Sequence, residues 1–227
     1  MDKKINTAFS RLKSLSFLKI SNDKMNFFNN SVPPLRRKQA TLDIQDMEGC
    51  WQLHWRIGKL KVYSTFYTRL DQAFIVWALL LIPMFLTAQF LPVSWNLQAA
   101  VWSICSVIGT AIMVSLTHSW AKRRKVNWVL YCWVVLVVVG VILTDLAVFV
   151  GWGEVLLNLC PLWLGLSALG YLCTGWGVRS RTLLFTGMLH LLGIFILPYI
   201  IGWQFLASGM LMIFCLLLLA EFEWDHC

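Results

Sequence analysis

The sequence predicts an all-α, six-helix polytopic membrane bundle, N-in/C-in, with a basic N-terminal arm. Three observations predict it. Six apolar segments, near 72–91, 97–118, 126–148, 155–175, 182–200 and 203–221, each approach the ~20 residues a helix needs to cross the hydrocarbon. One threading of these segments puts all nineteen Lys and Arg on the same side. Thirteen of them, from Lys3 to Arg69, precede the first segment, four form Lys122-Arg123-Arg124-Lys125, and the last two are Arg179 and Arg181. The connections on the other side, Pro92 to Leu97, Asp145 to Glu154 and Pro198 to Gly202, carry none, as the resistance of cations to translocation requires. Finally, only 13% of the chain is charged. A soluble domain carries about 25%, and lipid-facing positions account for the deficit.

The elements follow in order. Residues 1–50 form the basic arm and a linker. Ile5, Phe9, Leu12, Leu15 and Leu18 recur at roughly helical spacing among Lys3, Lys4, Arg11, Lys13 and Lys19, which predicts a helix lying on the membrane surface. No apolar core there is long enough for a secretory signal, and a transit peptide is the alternative. Asn-rich residues and Pro33-Pro34 mark 22–48 as linker. The arm together with the pre-membrane segment, residues 1–70, carries a net +8, equal to that of the whole chain. Because the charges abut a span, anionic lipid headgroups are the expected partner, and nucleic acid is not.

Residues 51–71 form a pre-membrane segment with two open readings. Trp51, Leu53, Trp55 and Ile57 alternate with polar residues, and so do Leu60, Val62, Ser64 and Phe66 after Gly58-Lys59. A small β-hairpin with a type II′ turn fits this pattern, with Trp55 facing Val62, Trp51 facing Phe66 and Arg56 opposite Lys61. An irregular interfacial segment is the other reading.

The membrane domain covers 72–221. Pro83 is expected to kink the first span and Pro161 to sit in the first turns of the fourth. Trp95, Trp120, Trp128, Trp152, Trp176, Trp203 and Trp224 flank spans and read as an interfacial belt. The seven Cys form no CxxC and read as small apolar residues rather than a disulfide framework. The acidic tail, 222–227, is expected to cap the last helix and to pair with the arm or the Lys122–Lys125 loop.

Ionisable groups inside a membrane are candidates for function. His190 is the clearest. Thr186, Gly187 and Gly193 share its helical face, and the glycines would admit a neighbouring helix. A proton relay, a ligand contact, an axial metal ligand and a neutral core histidine bonded to a carbonyl or a Ser are the readings, the last favoured. Asp145 follows Thr144 in an apolar run, and Glu154 with Asn158 lies one turn apart across the second outer connection, so these form a candidate outer vestibule. Ser167 with His190 fails as an intramembrane serine protease, because the two fall on consecutive spans and no oxyanion donor is evident. His118 and His190 differ in depth by about half the membrane, which argues against a haem pair. No metal site and no cofactor is expected.

Two functions are compatible with this pattern. One is an assembly protein that docks other membrane subunits through a basic cytoplasmic face made of Arg56, Lys59, Lys61, Lys122, Arg123, Arg124, Lys125, Arg179 and Arg181. The other is a small proton-coupled transporter or channel built around His190, for which an oligomer is one arrangement. The host is a bacterial inner membrane or an organellar or thylakoid membrane, with both termini on the cytoplasmic or stromal side.

Overall fold

The fold, a computed structural model, is described for residues 33–38, 51–57 and 60–225. The helix expected over 1–21, the Gly58-Lys59 turn and the last two residues of the tail lie outside the described residues. Six helices are long and apolar enough to cross a membrane: α1 (Arg69–Phe90), α2 (Trp95–Arg123), α3 (Asn127–Val150), α5 (Leu159–Val178), α6 (Arg181–Ile196, prolonged by the 3-10 turn Leu197–Tyr199) and α7 (Gln204–Glu221). A short helix, α4 (Gly153–Leu157), lies between α3 and α5. Four strands complete the set: β1 (Leu35–Arg37), β2 (Trp51–Ile57), β3 (Leu60–Tyr67) and β4 (Phe222–Trp224). The chain is an all-α multi-pass membrane protein with two small sheets at its basic end.

The helices form a ring in chain order. α1 packs on α2, α2 on α3, α3 on α5 and α5 on α6, while α7 lies against α1 and closes the ring on α5 and α6. Large apolar side chains cover the helix flanks, with Leu79, Val107, Phe149, Phe185, Phe195 and Phe214 exposed. Such a surface is stable only against lipid.

Each helix starts or stops for a local reason. Thr68 and Asp71 form a reciprocal capping box that starts α1 three residues earlier than hydropathy suggests. α1 then runs uninterrupted through Pro83. α2 is 29 residues long, about 43 Å, and outlasts the span expected over 97–118. It continues because Lys122 and Arg123 in its last turn complement the negative end of its dipole. The fourth span does not begin at 155. Asn158 ends α4 and starts α5, and its amide donates to the Glu154 carbonyl at 2.8 Å.

The hairpin forms from β2 and β3, with its register shifted. Arg56 opposes Lys61 as expected, but Trp55 opposes Tyr63 and Trp51 opposes Tyr67. The irregularity at Trp55/Arg56 leaves Val62 as the extra residue of a bulge, and a bulge displaces every pair beyond it by one.

Glycines set the helix spacing. A Cβ on Gly170 of α5 would come within 2.6 Å of the Trp133 ring of α3, and that ring is fixed by its Nε1–H, which donates to Thr174 Oγ1 at 2.8 Å. A Cβ on Gly187 of α6 would lie 2.7 Å from Leu172 Cγ and 3.0 Å from the Ala168 carbonyl. Gly170→Ala should therefore lower stability by about 1–3 kcal/mol through overpacking. Gly165→Ala, whose new methyl meets nothing closer than 3.8 Å, should be near neutral. Thermal unfolding of the two variants in detergent checks the difference.

Candidate functional site

The ring encloses a central apolar cavity of about 150 Å³. Tryptophans supply much of its wall: Trp77, Trp102, Trp120, Trp133 and Trp163 come from the helices, and Trp224 comes from β4. Trp224 does not join the interfacial belt, because strand pairing turns it inward and buries it. Trp95, Trp128, Trp152, Trp176 and Trp203 remain exposed, as a belt requires.

His190 lies in the wall and is fully buried. Its Nδ1 lies 2.8 Å from the carbonyl of Thr186, one turn earlier on the same helix. A carbonyl only accepts, so Nδ1 carries the hydrogen and Nε2 holds a lone pair. Nε2 has no hydrogen-bond partner among the described residues. A buried acceptor left this way costs about 1–3 kcal/mol. Tyr171 stacks obliquely on the imidazole, with centroids 5.0 Å apart, and meets Trp133 edge-on at 5.3 Å. The favoured sequence reading, a core imidazole bonded to a carbonyl, describes Nδ1 but leaves Nε2 unexplained. Thr186 itself donates its hydroxyl to the Thr182 carbonyl, and Ser167 lines the same cavity from α5.

The outer candidates separate. Asp145 sits on the α2–α3 seam, where Ser103 Oγ lies 2.8 and 2.9 Å from its two carboxylate oxygens. One hydroxyl proton is shared between them. Glu154 and Asn158 are exposed on and beside α4, and neither lines the cavity. Asp145 is likewise outside its wall.

The basic end holds an arrangement that sequence reasoning anticipated only as loose charge pairing. β1 and β4 run antiparallel, Leu35 opposite Trp224 and Arg37 opposite Phe222, with an Arg36–Glu223 ion pair between them. Lys38 then enters the protein. Its three ammonium hydrogens meet Asp71 Oδ2 at 2.5 Å, the Ala220 carbonyl at 2.5 Å and the Phe66 carbonyl at 3.2 Å, and it lies 4.8 Å from the Tyr67 ring. The Lys38 and Asp71 side chains are 9% and 6% exposed, so this is a buried pair. It ties the arm to the start of α1 and caps the carbonyl end of α7.

Asp225 closes the other side of this clasp. Its carboxylate accepts from the Arg181 and Thr182 backbone N–H groups at 3.1 Å, from Ser180 Oγ at 3.0 Å and from Arg181 Nε at 2.8 Å. Ser180 Oγ accepts from Leu183 N–H at 3.3 Å. The amides that open α6 thus find their acceptors in a distant carboxylate and a local hydroxyl. Burial alone would raise the Asp225 carboxyl. The Arg181 guanidinium and the Thr182 and Arg181 donors outweigh that and hold it below the ordinary carboxylate range.

The remaining cations lie at helix ends and in the hairpin. Lys122, Arg123, Arg124 and Lys125 are exposed between α2 and α3, and Arg179 is exposed after α5. Lys125 and Arg179 both take left-handed backbone, φ 57° and 56°. Arg181 is drawn into the clasp. Arg56 and Lys61 are paired positions in the hairpin's backbone register, and Lys59 lies outside the described residues.

Sequence reasoning missed Lys38, Asp71 and Ser103. Thr68-x-x-Asp71 was the one available signal, since that spacing before an apolar run marks a helix start. No family model, no curated protein and no solved structure matches this chain.

Proposed function

We propose that the chain is a membrane assembly protein, one that docks other membrane components through its basic end. One observation carries this reading: the Lys122–Lys125 run and Arg179 are exposed at helix ends, while arm and tail are fastened to the helices by the β1–β4 pairing and the buried Lys38–Asp71 pair. Cations held on a fixed platform beside a membrane attract anionic headgroups and acidic partner surfaces, at about 1 kcal/mol per charge. The distribution of Lys and Arg supports placing this end on the cytoplasmic or stromal side of a bacterial inner membrane or an organellar membrane.

The transport reading has less support. A conduction path is lined by polar groups, whereas the described wall of the cavity contains no Asp, Glu, Lys or Arg. Lys122→Ala with Lys125→Ala is expected to weaken retention of anionic lipid and of partner subunits at least tenfold in mild detergent, while His190→Phe leaves both unchanged. Native mass spectrometry and co-purification read the two effects. Equal retention by the loop variant and the parent would refute the docking role.

A further inference from the structure

Asp145 has a position that docking at the basic end does not use. Among the described residues, it is the one Asp, Glu, Lys or Arg of the six spans that lies more than a turn from a helix end. α3 leaves the Lys122–Lys125 loop and ends at Val150, so Asp145 lies about 8 Å short of the far end of its helix. α2 begins at that far end with Trp95, and Ser103 lies about 12 Å along it. The two side chains meet at this depth, with Ser103 Oγ 2.8 and 2.9 Å from the carboxylate oxygens. Helical side chains lean toward the N-terminus of their own helix, so Asp145 leans deeper into the hydrocarbon, away from the water beyond Val150. A long Lys or Arg stem can snorkel out of such a place, and the single methylene of Asp cannot.

Neither residue is sealed inside the bundle. Both are half-buried, and exposed apolar side chains border them: Ile142, Leu146 and Phe149 on α3, Ile104 and Val107 on α2. An ionised carboxylate accepts at about four lone-pair sites, and the Ser103 hydroxyl brings one hydrogen. Among the described residues, Asp145 bonds to Ser103 and pairs with no cation. The α2–α3 seam thus presents a partly satisfied acidic group on an apolar, lipid-facing surface, where charge persists only when it is paired. We infer that this seam docks a transmembrane helix of another protein, whose Lys or Arg meets the Asp145 carboxylate. Charge complementarity selects this occupant. The cation would sit about two turns inside the far end of its own helix, with its methylene stem lying along the apolar side chains beside Asp145. A second copy of this chain does not supply it. The described spans hold no Lys or Arg at that depth, and a two-fold axis along the membrane normal would set one Asp145 against the other. A lipid ammonium lies in the headgroup layer, outside the hydrocarbon that surrounds the seam.

The test uses the full chain, fused to a donor fluorescent protein, in phosphatidylcholine vesicles. The probe is an acceptor-labelled Leu-Ala helix of roughly 24 residues, long enough to span, with one Lys two turns inside one end. Two control peptides carry norleucine or Glu at that position. Energy transfer is measured as each peptide is titrated against the chain. The Lys peptide should bind saturably, one per chain, and at least tenfold more tightly than either control. Asp145→Asn keeps the size of the side chain and an oxygen for Ser103 but removes the charge, and it should abolish the preference. Equal binding of the Lys and norleucine peptides by the parent chain, or no saturable binding of the Lys peptide, overturns the inference without recourse to any variant. Persistence of the preference in a folded Asp145→Asn protein overturns it as well. So does energy transfer between donor- and acceptor-fused copies of the chain that Asp145→Asn removes, since the occupant is then a second copy. Docking at the basic end is tested at Lys122 and Lys125, so either proposal can fail alone.

Discussion

Lys38→Met is expected to destabilise the protein by about 3–5 kcal/mol, because it leaves the Asp71 carboxylate buried without its countercharge. For a chain of this size that corresponds to a fall in Tm of roughly 10 °C. Three acceptors lose their donor at once: Asp71 Oδ2, the Ala220 carbonyl and the Phe66 carbonyl. Asp71 keeps other partners, the Thr68 N–H at 2.8 Å and hydroxyl at 2.9 Å. The effect belongs to the uncompensated charge rather than to a large intrinsic strength of the pair. Lys38→Met combined with Asp71→Asn should therefore recover much of the loss, since the amide oxygen still caps α1 and no ion remains buried. Thermal unfolding of the two single variants and the double variant in one detergent decides this. Additive losses in the double variant would show that the pair does not act as a unit.

Asp225→Ala is the second large effect, at about 2–4 kcal/mol. It removes the acceptor for the Arg181 and Thr182 amides and for the Ser180 hydroxyl, together with a charge-assisted bond to Arg181. Arg181 is 29% exposed and can turn to water, which keeps the loss below that of a fully buried pair. Hydrogen exchange should quicken at residues 180–183 and 222–225 in the variant, while α2 and α3 stay protected. The same site fixes a pH dependence. The folded carboxyl titrates below its ordinary value of 3.8, so its contribution is complete above that value and is lost as pH falls through the lower, folded one. Protection at 180–183 should hold from pH 8 to pH 5 and collapse only below about pH 4. Loss of protection near pH 6 would mean that another group governs the clasp.

The six spans were legible because each is a long apolar run. Their ends were less legible for an electrostatic reason. Hydropathy falls at Lys122, yet cations suit the last turn of a helix, so α2 continues to Arg123. His190 was legible as the lone ionisable group in its apolar run, flanked by two close-approach glycines. The cavity was not, because a tryptophan that lines a slot and one that faces lipid have the same one-letter code. Trp77, Trp102, Trp133 and Trp163 carry no local mark of which they do. The register of β2 and β3 was misread because a bulge leaves the alternation of residues unchanged while shifting the partner strand.

Lys38 with Asp71 and Asp225 with Arg181 also explain why simple truncation is a poor probe of the arm. Deleting residues 1–60 removes Lys38, so loss of partner retention in that truncation would report a damaged bundle as readily as a lost docking surface. Point changes at Lys122 and Lys125 avoid the difficulty.

The clasp has a consequence for biosynthesis. Arg36 and Glu223 are 187 positions apart, so the ribosome must release nearly the whole membrane domain before the latch can engage. At roughly 5–20 residues per second, the nascent α6 waits seconds for the carboxylate that completes its first turn. A polypeptide that stops short of Asp225 would keep a helix start capped by Ser180 without the carboxylate and an unpaired β1 edge, features by which quality-control proteases could tell unfinished copies from finished ones.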